Sequence, residues 1–172
     1  MGNHDWCGQK CSFAADSPAQ ASTSDLQIVV DEATSVPLSP QGSASLSVWA
    51  TPWSNQFLNW AFMKSPQELE LLYAALPEGI DVLVSHQPPF GYGDRYRDIG
   101  SGRVKHLGSH ELLAAVKRVR PKLVICGHIH DAHGRFDCDG IPIYNVTLVD
   151  ERYRPMWSPT VIDIADLMPS EA

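Results

Sequence analysis

Two apolar runs that end in histidine decide the fold, namely DVLVSH at residues 81–86 and KLVICGHIH at residues 122–130. Each run has the length and β-branched composition of a buried strand. Between them we predict a helix that begins after Ser109 and is closed by Pro121. Two buried strands joined through a helix favour a parallel pair with a right-handed crossover. This stretch therefore predicts an α/β fold with histidines at the ends of its strands.

Local signals on both sides extend the prediction to an α/β fold with a mixed sheet. The run SPQE at residues 65–68 is a capping box with proline at the first helical position, and it starts a helix that Pro77 ends. The aromatic-rich segment 51–63 is predicted to be a packed surface loop or a short helix, and residues 87–108 a long functional loop. Further strands are predicted at Leu26–Val30, Leu46–Ala50, Ile141–Leu148 and Thr160–Ile164.

The size and charge of the chain limit the classes of protein it can be. Its 172 residues predict one domain over residues 1–172, large enough for a hydrophobic core. The net charge of −7 argues against an extended nucleic-acid surface. No apolar run has the roughly 20 residues of a membrane helix and no signal pattern opens the chain, so we expect a cytoplasmic location. The four cysteines are predicted to be free thiols, because their spacing does not form a disulfide framework. Nothing indicates an oligomeric state.

Three clusters of polar residues can supply the ligands of a metal site. Asn-His-Asp stands at residues 3–5, His86 follows the first apolar run, and His-Ile-His at residues 128–130 follows the second run through Gly127. Because α/β proteins bind ligands at the carboxyl ends of sheet strands, we expect His86, His128 and His130 to meet at one rim. Gly127, which lacks a Cβ, is expected to let the chain turn sharply there. Imidazole suits zinc, iron, manganese, nickel or copper ions.

Each cluster also has an interpretation without a metal. A single histidine after a strand is usually a polar loop residue, and Asn-His-Asp is also a turn sequence. His106 and His110 are predicted to be loop and helix-start residues, and Cys7 and Cys11 to be thiols that bind no metal. His133 is ambiguous because it lies close to the His-Ile-His run.

In order and spacing, the three clusters resemble the later motifs of the calcineurin-like metallophosphoesterase superfamily. The matching motifs are GNHD (2–5), SHQPP (85–89) and GHIH (127–130). Longer segments resemble the metallophosphoesterase-domain-containing, or MPPED-like, subgroup: TPWSNQFLNWAF (51–62), SHQPPFGYGD (85–94) and VRPKLVICGHIHDAHG (119–134). The resemblance covers nearly the whole chain.

This resemblance implies a fold and a metal centre. The implied fold is a sandwich of two mixed sheets flanked by helices, with a dinuclear site at the strand ends. Two divalent transition-metal ions are implied, with manganese, iron, zinc and nickel as candidates. By the resemblance, one ion is held by Asn3, His86 and His128. The other ion is held by His130.

The resemblance also implies an activity, the hydrolysis of a phosphodiester or phosphomonoester. His4 matches a histidine that contacts the phosphate and protonates the leaving group. Asp5 matches its orienting partner. The expected substrate is a small phosphate ester, with a nucleotide as one candidate.

The chain departs from the family at two earlier motifs, Asp-x-His and Gly-Asp, which supply further ligands including the bridging carboxylate. Gly93-Asp94 does not replace them, because it falls within the later loop. We therefore expect the domain to be incomplete at its N-terminus by at least one βαβ-type unit, roughly 30 residues or more. We also expect the isolated chain to bind metal weakly and to turn over slowly or not at all.

Two alternative functions stay open. The first is an inactive, truncated remnant that acts as a metal-binding or interaction module, and the missing carboxylates favour it. The second is an unrelated hydrolase with one transition metal held by His128, His130 and His133. That arrangement requires a helical segment, which Gly134 and the strand-end context oppose.

Overall fold

The computed structural model describes residues 2–6, 9, 28–39, 44–98 and 100–163. Its strands are β1 (Glu32–Pro37), β2 (Ser45–Thr51), β3 (Ser54–Asn55), β4 (Met63–Lys64), β5 (Val82–Ser85), β6 (Arg95–Arg97), β7 (Val104–His106), β8 (Leu123–Cys126), β9 (Gly134–Cys138) and β10 (Ile141–Asn145). The helices are α1 (Pro66–Ala74) and α2 (His110–Val119), and a 3₁₀ turn spans His130–Ala132.

Six strands form one mixed sheet in the order β1-β2-β5-β8-β10-β9. The four central strands pair in parallel, and β1 and β9 pair with their neighbours in the antiparallel sense. Helix α2 connects β5 to β8, which are adjacent and parallel. The predicted mixed α/β sheet is therefore confirmed, and so is the parallel pair around the two apolar runs.

Both helices begin as their sequences predict. The hydroxyl of Ser65 accepts a hydrogen bond from the backbone N–H of Glu68, and the Glu68 carboxylate accepts one from the backbone N–H of Ser65. The hydroxyl of Ser109 accepts from the backbone N–H of Leu112 at 3.0 Å. These side chains satisfy N–H groups that the first turn of a helix leaves without partners. Helix α1 ends at Ala74, before Pro77.

The main core lies between the two helices and one face of the sheet. Leu69 and Tyr73 from α1 and Leu112 and Val116 from α2 are at most 2% exposed, and they pack with Leu83 of β5. Burying a large apolar side chain stabilises a fold by roughly 1.5–3 kcal/mol. This packing holds the sheet rigid beneath the ends of its central strands.

The opposite face of the sheet packs around Leu46, Val82 and Leu123. Its other apolar side chains are only partly buried: Val48, Val84, Ile125 and Tyr144. Of the two large mixed sheets that the resemblance implies, the described residues contain this one, together with the two-stranded pairs β3-β4 and β6-β7.

Two strand predictions differ from the structure. Residues 28–30 of the predicted strand Leu26–Val30 are not a strand, and residues 26 and 27 lie outside the described residues. The chain turns at Asp31, whose φ is 53°, and β1 begins only after it. Residues 160–163 also form no strand, and Ile164 lies outside the described residues. Val161 is 92% exposed, so packing does not support the strand propensity of this segment.

Strand β9 was not predicted, because its sequence GRFDC is typical of a polar loop. It forms by pairing with β10, which ends at Asn145 instead of continuing to Leu148. Residues 51–63 contain no helix, so the loop alternative is confirmed, with β3 and β4 paired across it.

The long loop 87–108 is ordered around one carboxylate. Asp94 is fully buried and accepts hydrogen bonds from the backbone N–H groups of Gly91 and Gly108 and from the His106 ring. A Cβ on Gly108 would lie 2.6 Å from the backbone of Pro89, so only glycine allows the two ends of the loop to meet this closely. The carboxylate of Asp94 thus holds its own loop together.

Cys126 and Cys138 are buried free thiols, as predicted, whereas Cys7 and Cys11 lie outside the described residues. In the described ranges, none of the helices is both long and apolar enough to cross a membrane.

Candidate metal centre

The carboxyl ends of β2, β5 and β8 place two of the predicted histidines at one edge of the sheet. His86 directly follows β5, and its backbone N–H donates to the carbonyl of Thr51 at 3.0 Å. Gly127 follows β8, and its N–H donates to the carbonyl of His86 at 3.0 Å. The rings of His86 and His128 are 4.6 Å apart between centroids. The expectation that these two histidines meet at one rim is confirmed.

Asn3 reaches the same rim from the beginning of the chain. Its side-chain Oδ1 lies 2.7 Å from Nε2 of His86, and its backbone N–H donates to that nitrogen at 3.3 Å. In the tautomer whose Nε2 accepts this bond, a nitrogen lone pair and an amide oxygen face each other. A cation shared by the two atoms would turn this repulsion into attraction. Asn3 is 4% exposed, so water does not screen the contact.

The His86 ring lies directly against Gly2. A Cβ on Gly2 would stand 2.3–2.7 Å from three atoms of the ring, far inside van der Waals contact. The glycine of the GNHD motif therefore leaves the space that the ring of His86 occupies.

His128, and not Gly127, has the unusual backbone at the end of β8. Its φ is 68°, in the left-handed region that costs a non-glycine residue roughly 1–2 kcal/mol. A Cβ on Gly127 would have nothing nearer than the His86 carbonyl oxygen at 3.9 Å. The prediction that Gly127 provides the sharp turn is therefore wrong. Strain of this kind is typically found at functional sites.

Both rings at this rim are kept neutral. Burial is the largest cause that lowers the pKa of His86 to about 3 and that of His128 to about 4. The neighbouring histidines lower each pKa further, because two adjacent imidazolium ions repel each other. Neutral imidazole is the form that binds a metal ion.

The stability of the metal-free chain should decrease as the pH falls from about 6.5 to 4. In this range the unfolded chain protonates His86 and His128, whereas the folded chain keeps them neutral until pH 3–4. The free energy of unfolding should lose about 1.4 kcal/mol per pH unit for each histidine. Urea unfolding at several pH values measures this slope. In the variant His86→Asn/His128→Asn the slope should be flatter, and an unchanged slope would contradict the prediction.

His130 is oriented by a backbone carbonyl. Its Nδ1 donates to the carbonyl oxygen of Asp150 at 3.0 Å, which leaves Nε2 as the free ring nitrogen. Metal-binding histidines commonly have such a second partner, because it fixes the tautomer and the direction of the ring. Its role as ligand of the second ion stays a prediction.

His133 has a different environment. Its Nδ1 donates to the carbonyl oxygen of Thr147 at 2.9 Å, and its ring stacks on Trp157 at 4.9 Å between centroids. Residues 130–132 form a 3₁₀ turn instead of an α-helix, so the helical spacing that a site of His128, His130 and His133 requires is not present.

The His4 ring contacts two aromatic side chains. Its centroid is 4.4 Å from that of Trp60, and its Nε2 is 3.2 Å from the hydroxyl of Tyr153. The Asp5 carboxylate accepts a hydrogen bond from the backbone N–H of Gly2 at 2.7 Å and closes the turn over residues 2–5. The described contact of the His4 ring nitrogen is thus with Tyr153.

The donors at the rim match part of one metal shell. In the part of the chain that the structure describes, no group of three or more His, Cys, Asp or Glu side chains is placed to hold a metal ion. Two imidazoles and an amide oxygen, from His86, His128 and Asn3, are a mixed nitrogen and oxygen set that suits a divalent transition metal. They fit one ion incompletely, and His130 is the described donor predicted for the other.

Sequence reasoning missed three residues around this centre. Asn145 is buried, and its amide donates to the carbonyls of Gly93 and Ile129, tying the long loop to the His-Ile-His segment. A polar residue at the end of the apolar strand β10 is the same signal that indicated His86. Trp60 and Tyr153 carried no comparable signal, because both lie in irregular segments.

Comparison with known proteins identifies the family of this chain. The family model of the calcineurin-like phosphoesterases matches residues 1–132. "Metallophosphoesterase domain-containing protein 1" of Homo sapiens is 34% identical over 120 residues, which are 68% of this chain and 35% of that protein. The mouse protein of the same name gives the same values. A UPF0046 protein of Caenorhabditis elegans is 35% identical over 121 residues, which are 69% of this chain and 29% of that protein.

The chain belongs to the calcineurin-like phosphoesterase family. Its matched part spans about a third of the length of the curated relatives.

Proposed function

We propose that this chain carries part of the active site of a metal-dependent phosphoesterase that hydrolyses a small phosphodiester or phosphomonoester. Membership of the family supports hydrolysis of a phosphate ester. The proposed cofactors are two divalent transition-metal ions, with manganese, iron, zinc and nickel as candidates. A nucleotide is a candidate substrate.

The observation that carries this proposal is the contact between Asn3 and His86, whose donor atoms lie 2.7 Å apart beside the half-buried ring of His128. These residues come from three distant parts of the sequence. They meet at one strand-end rim, where burial and the neighbouring histidines lower the pKa of both imidazoles and keep them neutral. A structural role alone does not require two desolvated histidines in contact.

In the proposed site, Asn3, His86 and His128 would hold one ion and His130 the other. When bound, the ions would act as Lewis acids on the phosphoryl oxygens. His4 contacts Trp60 and Tyr153, and from this place it would contact the phosphate and give a proton to the leaving oxygen.

His4 itself is exposed. A substrate from solvent can therefore reach the His4 side chain.

Hydrolysis of p-nitrophenyl phosphate and bis(p-nitrophenyl) phosphate with Mn²⁺, and with EDTA as the metal-free control, tests the proposal. We expect hydrolysis that depends on the metal but is slow, well below the roughly 10 s⁻¹ of a median enzyme, because the described donors fill only part of the two shells. Hydrolysis that EDTA does not change, or that never exceeds buffer alone with any of the four metals, would contradict the proposed function. Turnover near the median value would contradict the expected slow hydrolysis.

The second candidate is a metal-binding or interaction module without hydrolysis. It is favoured by the lack of a cluster of three or more His, Cys, Asp or Glu ligands among the described residues. Metal content measured on the same protein sample as the hydrolysis assay separates the two functions. Bound metal without hydrolysis supports the module, and metal-dependent hydrolysis supports the enzyme.

A further inference from the structure

The turn that follows β10, over residues 149–155, contacts two of the candidate site histidines. We call it the clamp turn. The carbonyl oxygen of Asp150 accepts the hydrogen bond from Nδ1 of His130 at 3.0 Å. Three residues later, the hydroxyl of Tyr153 lies 3.2 Å from Nε2 of His4. One short segment therefore contacts a predicted metal ligand through its backbone and the predicted proton donor through a side chain.

Hydrogen bonds within the turn hold these groups in place. The Asp150 carboxylate accepts from the backbone N–H groups of Arg152 and Arg154 and pairs with the Arg154 guanidinium. The backbone N–H of Tyr153 donates to the Asp150 carbonyl at 2.9 Å, the same oxygen that accepts from His130. A bridge between Val149 and Pro155 closes the base of the turn.

Tyr153 is held in an unfavourable backbone conformation. Its φ is 58°, in the left-handed region that tyrosine rarely adopts. Its ring stands edge-on to the rings of both His4 and His130, with centroids 6.0 and 5.4 Å apart. Since the side chain is 60% exposed, burial of its ring does not account for this strained position.

The partner that the resemblance assigns to His4 has another contact. The carboxylate of Asp5 accepts from the backbone N–H of Gly2. The His4 ring also contacts Trp60, with the ring centroids 4.4 Å apart. Trp60 and Tyr153 thus limit the rotation of the ring, and the Tyr153 hydroxyl adds a polar contact at Nε2.

We propose that Tyr153 is a positioning residue for His4, and that the clamp turn sets the orientations of His4 and His130 together. The inference rests on the proposed function for the reaction that this orientation serves. Tyr153 acts through His4: its hydroxyl contacts Nε2 and fixes the ring, so that Nδ1 is the nitrogen that gives a proton to the leaving oxygen. The Asp150 carbonyl directs His130 from the same turn.

Ring-nitrogen NMR spectra of the metal-free 172-residue chain test the contacts without any assay of activity. Tyr153→Phe removes the hydroxyl and keeps the ring, so it should shift the nitrogen signals of His4 and leave those of His130 in place. Asp150→Ala loosens the whole turn and should shift the signals of both histidines. Tyr144→Phe is the matched control, because Tyr144 lies in β10 and its ring faces Arg135. Unchanged His4 signals in Tyr153→Phe would overturn the proposal.

Hydrolysis with two leaving groups tests the consequence. Phenyl phosphate needs a proton on its leaving oxygen more than p-nitrophenyl phosphate does. With Mn²⁺, Tyr153→Phe should lower kcat for phenyl phosphate about tenfold, a part of what general acid catalysis contributes, with a smaller loss for p-nitrophenyl phosphate and little change in KM. Equal losses with both esters would overturn the positioning role. If the wild-type chain hydrolyses neither ester, the proposed function fails, and the NMR spectra still decide whether the clamp turn orients His4.

Discussion

Replacing His86 and His128 together with alanine should abolish metal binding and reduce Mn²⁺-dependent hydrolysis to the level of buffer. The two rings are the imidazole donors of the rim, 4.6 Å apart, and the double variant leaves Asn3 alone there. Loss of a partner outside the metal shell already costs about 10–100-fold in affinity, so loss of two ligands should cost at least that. Titration calorimetry with Mn²⁺ or Zn²⁺ measures the change.

A histidine elsewhere serves as the control. His110 is exposed at the start of α2 and stacks on Phe90 at 3.8 Å between centroids, so His110→Ala should leave the metal affinity unchanged. Equal affinities in the wild type and the double variant would show that metal binds somewhere other than this rim.

The second large effect is expected from Gly2→Val, which should weaken metal binding about as much as loss of His86. The first atom of the new side chain would stand within 2.3–2.7 Å of three atoms of the His86 ring, so the ring must leave the position in which it contacts Asn3 and His128. Overpacking of this kind also costs typically 1–3 kcal/mol of stability. Calorimetry gives the affinity, and urea unfolding gives the stability.

Gly100→Val is the matched control for this substitution. Gly100 is exposed, and a Cβ there would meet only the Asp98 carboxylate at 3.6 Å. Its metal affinity and stability should both stay close to those of the wild type. If Gly2→Val bound metal as tightly as the wild type, the His86 ring would not need its present position.

In this site, the backbone conformation is expected to matter for metal binding as much as the ligands do. Gly2 leaves room for one ring, and His128 is in a left-handed conformation beside it. Burial makes protonation of both imidazoles unfavourable. The rings therefore stay neutral, and their nitrogens are available to a cation. The stability that the metal-free chain loses at low pH is the measurable consequence of the same burial.

The sequence by itself determined the parallel α/β unit and the rim. Capping of α1 by Ser65 and of α2 by Ser109 depends on residues three positions apart, and buried strands show as apolar runs, so both are local signals. His86 and His128 could be placed together because the ends of parallel strands meet at one edge of a sheet. Strand β9 forms by pairing with β10, and its local strand propensity was not sufficient to predict it.

Only the tertiary structure decided how the individual side chains of the site are held. The contact between Tyr153 and His4 joins residues 149 positions apart, and that between Gly2 and His86 depends on the close approach of two segments. The tertiary structure also shows that the residue with positive φ is His128 and not Gly127. It shows that the Asp5 carboxylate accepts a hydrogen bond from the backbone N–H of Gly2. The physical reason is that such contacts depend on packing between distant segments, and packing leaves no periodic or compositional signal in the sequence around either partner.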